Sequence, residues 1–271
     1  MNPQATLKFT ILGCGSSGGV PRPALGWGNC DPGNPKNRRR RTSLLVEKRG
    51  PGGITRVLVD TSPDLREQLL DAGSDRLDGV LYTHEHADHT HGIDDLRAYF
   101  IKQRQLIDVY LDEQTGATLR ARFGYCFQSP PGSEYPPILR EQRLIAGQPV
   151  TIAGQGDAIV ALPILQAHGD IPSFGFRFGN VGYSCDLSGM PRDSAASLAE
   201  LDVWIVDALR ERPHPSHFSV SDALTWIERL KPRRAILTNL HAELDYEALR
   251  KKLPPHVEPA FDGMAFETRS D

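Results

Sequence analysis

The chain has 271 residues, a net charge of −3 and 24% charged residues, a composition that excludes a general polyanion binder. No apolar run reaches the about eighteen residues of a membrane span, and Met1 to Thr6 show no basic region leading into an apolar core, so neither membrane nor signal peptide is expected. Cys14, Cys30, Cys126 and Cys185 are scattered without a C-x-x-C pair, which reads as reduced thiols in a cytoplasmic protein.

Leu7 to Leu12 reads as the first strand. The Gly-rich turn Gly13 to Pro21 follows it, and backbone amides exposed by such turns can hold phosphate oxygens. The plainer reading is a tight connection that needs positive φ. Pro35 to Thr42 carries five cations. A run of this kind is ordinarily a solvated surface, yet one or two of Arg38 to Arg41 could reach an anionic substrate with their forked donors. Ser43–Val46 and Arg56–Val59 read as strands, the latter ending at Asp60. A helix is expected over Pro63–Ala72, with Ser62 as cap, Pro63 as first residue and Leu65, Leu69 and Leu70 as its buried stripe.

Asp78–Tyr82 reads as a buried strand running into His84-Glu85-His86-Ala87-Asp88-His89. Imidazole nitrogen and carboxylate oxygen are ligands that zinc and similar divalent ions accept. So many within six residues cannot share one helical or strand face, but a turn at a strand end can aim them inward. His91 reads as a neighbour of the ligands or an exposed residue, Glu85 as facing solvent or Arg partners, and Asp94, Asp95 and Arg97 as a local charge network.

Further strands are expected at Ile107–Leu111, Ala158–Leu165, Phe174–Phe178, Val203–Val206 and Arg234–Leu237. Helices are expected at Glu113–Arg122, Val220–Leu230 and Tyr246–Lys251, and a surface loop over Gly124–Ile138. His168, Asp186 and His241 each follow an apolar run, where a strand-end loop would put a distant ligand. Asp186 could bridge two ions with its two oxygens. His217, before the Val220 helix and after the Asp207 strand end, is placed to enter the same cleft. His256, beside Pro254-Pro255, reads as a surface residue. Strands outnumber helices, and hairpins precede βα units in both halves, so one domain over 1–271 with two packed sheets and helices outside is expected.

The ordered pattern H-x-H-x-D-H, a lone His, a lone Asp and a final His, with Asp60 as an earlier motif, resembles the metallo-β-lactamase superfamily over Leu7 to about Phe266. The resemblance implies an αββα four-layer sandwich, of α+β or α/β class, with a dinuclear centre on one edge. His84, His86 and His168 would bind one ion; Asp88, His89 and His241 the other; Asp186 would bridge them. Asp60 would orient the His loop. Zn, Mn or Fe suits such mixed ligation.

Two ions at about 3.5–4 Å hold a water as hydroxide near neutral pH, which suits hydrolysis of esters, thioesters, amides or phosphodiesters. The interval from His217 to Ala223-Leu224 resembles the arrangement in tRNase Z and related phosphodiesterases, where this His assists at the scissile phosphate. The long exosite arm of tRNase Z is missing, so a nucleic-acid substrate is not expected. Gly13 to Pro21, Trp27 to Pro32, the Arg run and His214-Pro215-Ser216-His217 are most similar to the PhnP-like branch. That branch implies hydrolysis of a small, cyclic phosphodiester, of which phosphoribosyl 1,2-cyclic phosphate is the best-known substrate class.

The implied mechanism is in-line attack by metal-bound hydroxide, with His217 stabilising the phosphoryl oxygen or protonating the leaving alkoxide and Asp88 steering the water. Cys30 stands alone where the branch has a cysteine cluster, so no structural zinc is expected. The alternatives are a thioesterase or lactonase on the same centre, or a PqqB-like cofactor-biosynthesis protein. Relatives often dimerise, so a homodimer is a further expectation.

Overall fold

The short apolar runs assemble into two seven-stranded sheets in the computed structural model, which describes residues 6–269. In the first half of the chain, β1 (Thr6–Gly13), β2 (Ser43–Gly50) and β3 (Gly53–Val59) form an antiparallel meander. Then β4 (Gly79–Leu81), β5 (Ile107–Leu111) and β6 (Leu139–Arg143) add in parallel. The second half repeats this plan. There, β7 (Val150–Ile152), β8 (Ile159–His168), β9 (Ile171–Phe178) and β10 (Val181–Ser184) run antiparallel. They are followed by the parallel β11 (Val203–Asp207), β12 (Arg234–Thr238) and β13 (Val257–Pro259). The last strand, β14 (Ala265–Arg269), returns to pair with β1.

Three apolar cores show why the layers stack. Phe9, Val46 and Val59 of the first sheet meet Phe176, Tyr183 and Ile205 of the second, filling the space between the sheets. Leu58, Val80 and Val109 face outward from the first sheet onto Leu65, Leu69 and Leu119. These belong to α1 (Leu65–Asp71) and α4 (Glu113–Phe127); α2 (Ala87–Thr90) and α3 (Arg97–Gln103) precede α4 in the chain. Trp204, Val206 and Leu237 pack outward on Leu198, Ile227 and Leu249, under α5 (Arg192–Ala196), α6 (Val220–Leu230) and α7 (Tyr246–Lys252). The result is the expected αββα sandwich. No helix among the described residues is long and apolar enough to cross a membrane.

Several local expectations need correction. The first helix begins at Leu65, two residues after Pro63, because the Ser62 hydroxyl accepts from Asp64 N at 3.1 Å and donates to Gln68 Oε1 at 2.8 Å, forming a turn rather than a helical cap. Leu65 and Leu69 are buried, but Leu70 is 61% exposed; the first two share a face at i and i+4, and Leu70 lies about 100° round it. The helix expected to end at Arg122 continues to Phe127 after a kink at Phe123 (φ −130°, ψ 35°). Buried Cys126 anchors that extra turn, and its carbonyl accepts from Ile138 N at 2.9 Å, which closes the loop beyond it.

Strand ends place the site. Asp60 follows β3, His84 lies three residues after β4, His168 ends β8, and Asp186, Asp207 and Asn239 sit at or just after β10, β11 and β12. The Gly-rich turn crosses this end of the sandwich, and Leu240 N donates to Cys14 O at 2.8 Å. Close approach requires Gly13 there, since a β-carbon would come 2.1 Å from the Arg41 carbonyl oxygen.

Candidate metal centre

The centre is built on Asp60, fully buried in a left-handed backbone conformation (φ 62°). Its carboxylate accepts from Thr83 N and Thr83 Oγ1, each at 2.8 Å, and from His89 Nδ1 at 2.7 Å. Because the Thr83 hydroxyl gives its proton to Asp60, it can only accept from His84 Nδ1, 3.0 Å away. Both rings therefore carry their Nδ1 proton outward from the cluster and turn Nε2 into it. His84 Nε2 and His89 Nε2 are buried and have no hydrogen-bond partner among the described residues.

Asp186 sits among these nitrogens, buried and also left-handed (φ 53°). Its Oδ2 lies 3.4 Å from His89 Nε2, 3.5 Å from His168 Nε2 and 3.7 Å from His84 Nε2. Its Oδ1 is taken, accepting from Asn239 Nδ2 at 2.9 Å and from Cys185 Sγ at 3.0 Å. A single Asp186 oxygen, Oδ2, therefore faces the cluster. His168 donates Nδ1–H to Ser216 O at 2.7 Å, which leaves its Nε2 3.3 Å from His86 Nδ1. One donor atom each from His84, His86, His168 and Asp186 lies within 4.8 Å of the others. Asp88, at the start of α2, reaches within 3.4 Å of His89 Nε2.

Electrostatics suit a cation. Burial, reinforced by His89, holds the His84 pKa well below the imidazole range, so the ring keeps a bare lone pair. Burial likewise lowers His168. At His89 burial is outweighed by Asp186, Asp88 and Asp60, which push its pKa well up. Buried carboxylates clustered around buried imidazoles need positive charge. Two orphaned nitrogens and a shared oxygen form a donor set that fits divalent metal.

His241 is brought to the same cleft, but its Nε2 is 2.7 Å from Arg22 Nη1. Burial and the Arg22 charge hold its pKa low. His217 is held by Asp207, with Nδ1 2.8 Å from Asp207 Oδ2. Buried Asp207 also accepts from Leu187 N at 3.1 Å and from Asn239 Nδ2 at 3.1 Å. Burial opposes protonation of His217, but Asp207 raises its pKa to about 9; burial raises Asp207 to about 6 despite His217. Near neutrality the two form an ion pair. His217 Nε2 faces the cluster, 4.0 Å from Asp186 Oδ2.

These groups line a cleft of about 340 Å³ whose wall also carries Ser16, Arg22, Arg210 and His214. A larger hollow of about 530 Å³, between α1 and α3, is lined by Leu69, Leu70 and Tyr99 and contains no His cluster. None of Arg38 to Arg41 is among the residues that line the cleft. Arg38 is exposed, Arg39 is buried against the His241 and Leu244 carbonyls, Arg40 pairs with Asp71 and Asp262, and Arg41 pairs with Asp64.

His91 packs edge-on against Phe123 and is exposed, as is His256. Glu85 accepts from Gln114 Nε2 at 2.9 Å, and Asp94 pairs with Arg97 at 2.7 Å. The sequence reading missed Arg22 and Asn239. It noted Asp207 only as a strand end, although Asp207 shares that signal with Asp60 and Asp186.

A family model described as the beta-lactamase superfamily domain matches residues 55–239. A solved structure described as a new diphosphatase from the PhnP family is 31% identical, with TM-score 0.86 and 97% of each chain covered. The structure of Zn²⁺-bound PqqB from Methylobacterium extorquens is 15% identical, with TM-score 0.70 over 96% of this chain and 99% of that one, a likeness of fold alone. A curated relative, octanoyltransferase of Porphyromonas gingivalis, is 33% identical over 267 residues, which are 95% of this chain and 51% of that protein. The chain thus spans about half the length of that relative. With the sandwich, the family model and the PhnP-family structure in agreement, the chain belongs to the metallo-β-lactamase superfamily, in its PhnP-like branch.

Proposed function

We propose that this metal-dependent hydrolase cleaves a small phosphodiester, a cyclic one in keeping with its branch. In this reading His84, His86 and His168 would hold one ion, Asp88, His89 and His241 would hold another, and Asp186 would serve both. Zn or Mn fits the mixed donors, and Fe is a third candidate. Divalent cations held there would supply activation of water and compensation of charge on the phosphoryl group.

The chain's own residues do the rest. His217, with Nδ1 engaged by Asp207, presents Nε2–H to the cleft and can give its proton to the departing oxygen as the P–O bond breaks. Asp88 accepts from the attacking water and orients it. Ser16, at the Gly-rich turn, offers polar groups to the phosphoryl oxygens.

The observation that carries this reading is the wall of the cleft. Among the described residues Leu209 is the single aliphatic one lining it, whereas Arg22, Arg210, His214 and His217 supply cationic or protonatable groups. An octanoyl group or other acyl chain would need an apolar trench to offset its transfer from water, and an anionic phosphodiester needs donors. The test is turnover by the metal-loaded protein of bis(p-nitrophenyl) phosphate against a panel of thioesters and lactones. Phosphodiester hydrolysis is expected; turnover of thioesters or lactones with none of the phosphodiester would replace this reading by the acyl one.

A further inference from the structure

Arg22 stands closest of the cleft cations to a proposed ligand. It follows the Gly-rich turn, and its guanidinium lies across Gly18, where a β-carbon would come 2.6 Å from Arg22 Nε. Its Nη1 is 2.7 Å from His241 Nε2. A guanidinium has donors and no acceptor, so in this contact Nε2 accepts through the lone pair that an ion would take; the rival donor, Glu243 N, stands farther off, 3.2 Å from Nδ1. Among the described residues no carboxylate forms an ion pair with Arg22, in contrast to Arg40 and Arg41. A permanent cation resting on a neutral ring, beside a cluster of carboxylates, has more favourable partners available once an anion enters.

We propose that Arg22 is a substrate-binding residue stored on His241: occupation of His241 by an ion releases the guanidinium to a phosphoryl oxygen of the substrate. The proposal rests on reading the cleft as a phosphodiester site. Its two states exclude each other, because one lone pair cannot serve both partners and an ion repels the guanidinium. Arg22 therefore opposes the ion at His241 in the free protein and favours it when an anion is present. By linkage, anion and ion each strengthen the other's binding.

The experiment is calorimetric titration of Zn²⁺ into metal-free protein, then of inorganic phosphate into the loaded protein, for wild type, Arg22→Met and Arg38→Met. Arg38→Met removes the same charge from the exposed surface. Arg22→Met is expected to bind the second equivalent of Zn²⁺ several-fold tighter and phosphate at least roughly tenfold weaker, the size of one charge-assisted hydrogen bond. Arg38→Met is expected to match wild type in both. If Arg22→Met fails to fold, Arg22→Lys carries the test, with the same signs at smaller amplitude because a single ammonium lacks the fork.

An unchanged or weakened second Zn²⁺ equivalent overturns the proposal, as does unchanged phosphate affinity. These titrations read binding rather than turnover. Phosphodiester hydrolysis by a protein whose Arg22→Met variant titrates like wild type would sink the Arg22 proposal alone. Arg22-dependent phosphate binding in a protein that hydrolyses only thioesters would sink the functional reading alone.

Discussion

Asp60 and Thr83 decide which nitrogen of two rings is left bare, and Asp207 does the same for His217, yet the consequences differ. His84 and His89 turn a buried, unpartnered Nε2 inward, whereas the Nε2 of His217 lies at the edge of the group. Replacing His217 by Ala should therefore leave metal content intact, by elemental analysis, while turnover falls about 10²-fold or more, the size of one acid–base group. An undiminished rate would remove His217 from the mechanism. Replacing Asp186 by Ala should act in the opposite way, lowering the metal per chain itself. Retention of full metal by that variant would refute its place between the ions. Much of this was legible from residues alone, since His84 to His89, His168, Asp186 and His241 all follow apolar runs. Arg22 and Asn239 were not. Their importance lies in what a loop brings within 3 Å of them, and neither residue type nor spacing encodes that.

Elements differed in legibility for a physical reason. The nine strands expected by range, with the apolar run before Asp186, are the interior ones; β6, β7, β13 and β14, which were not foreseen, are the four edges of the two sheets. An edge strand carries polar side chains and packs on fewer neighbours, so Leu139–Arg143 and Ala265–Arg269 show little apolar periodicity. Helices α2 and α5 were too short to show a stripe, and α3 buries none of its residues. The segment from Trp27 to Arg41 has no strand and is held by polar contacts instead. Asn37 and Asp31 N both donate to Asp245 Oδ2, at 2.6 and 3.1 Å, while Asp245 Oδ1 caps α7 by accepting from Ala248 N at 3.0 Å. Burial alone would raise the Asp245 pKa, but these donors lower it below the usual carboxylate value. A lowered folded pKa stabilises above the unfolded value, about 3.9, and the contribution is lost as pH falls through the folded one. Asp245→Ala should thus cost roughly 1–2 kcal/mol at pH 7, and the gap to wild type in urea unfolding should narrow below about pH 4. A gap that stays constant on acidification would mean that the charge of Asp245 is irrelevant to the clip.

At the scale of the molecule, the chain is two runs of the same plan, an antiparallel meander followed by parallel strands, laid face to face. The proposed ligands are divided between them: His84, His86, Asp88 and His89 follow β4 of the first sheet, while in the second His168 ends β8 and Asp186 and His241 follow β10 and β12. An ion held by both sets ties the sheets together at one end. It also neutralises carboxylates that otherwise face one another out of water. Both effects favour the folded state, in which alone the ligands converge. Binding to the folded form stabilises by about 4 kcal/mol when free ion is roughly 1,000 times its Kd, and in a chain of this size that raises Tm by on the order of 10 °C. Chelation should therefore lower Tm by that order, and restoring Zn²⁺ or Mn²⁺ should recover it. His217→Ala should keep the shift, whereas Asp186→Ala should lose most of it, because it removes the oxygen that both ligand sets share. A melting curve indifferent to chelator in the wild-type protein would show that the two sheets meet at this end without a metal to join them.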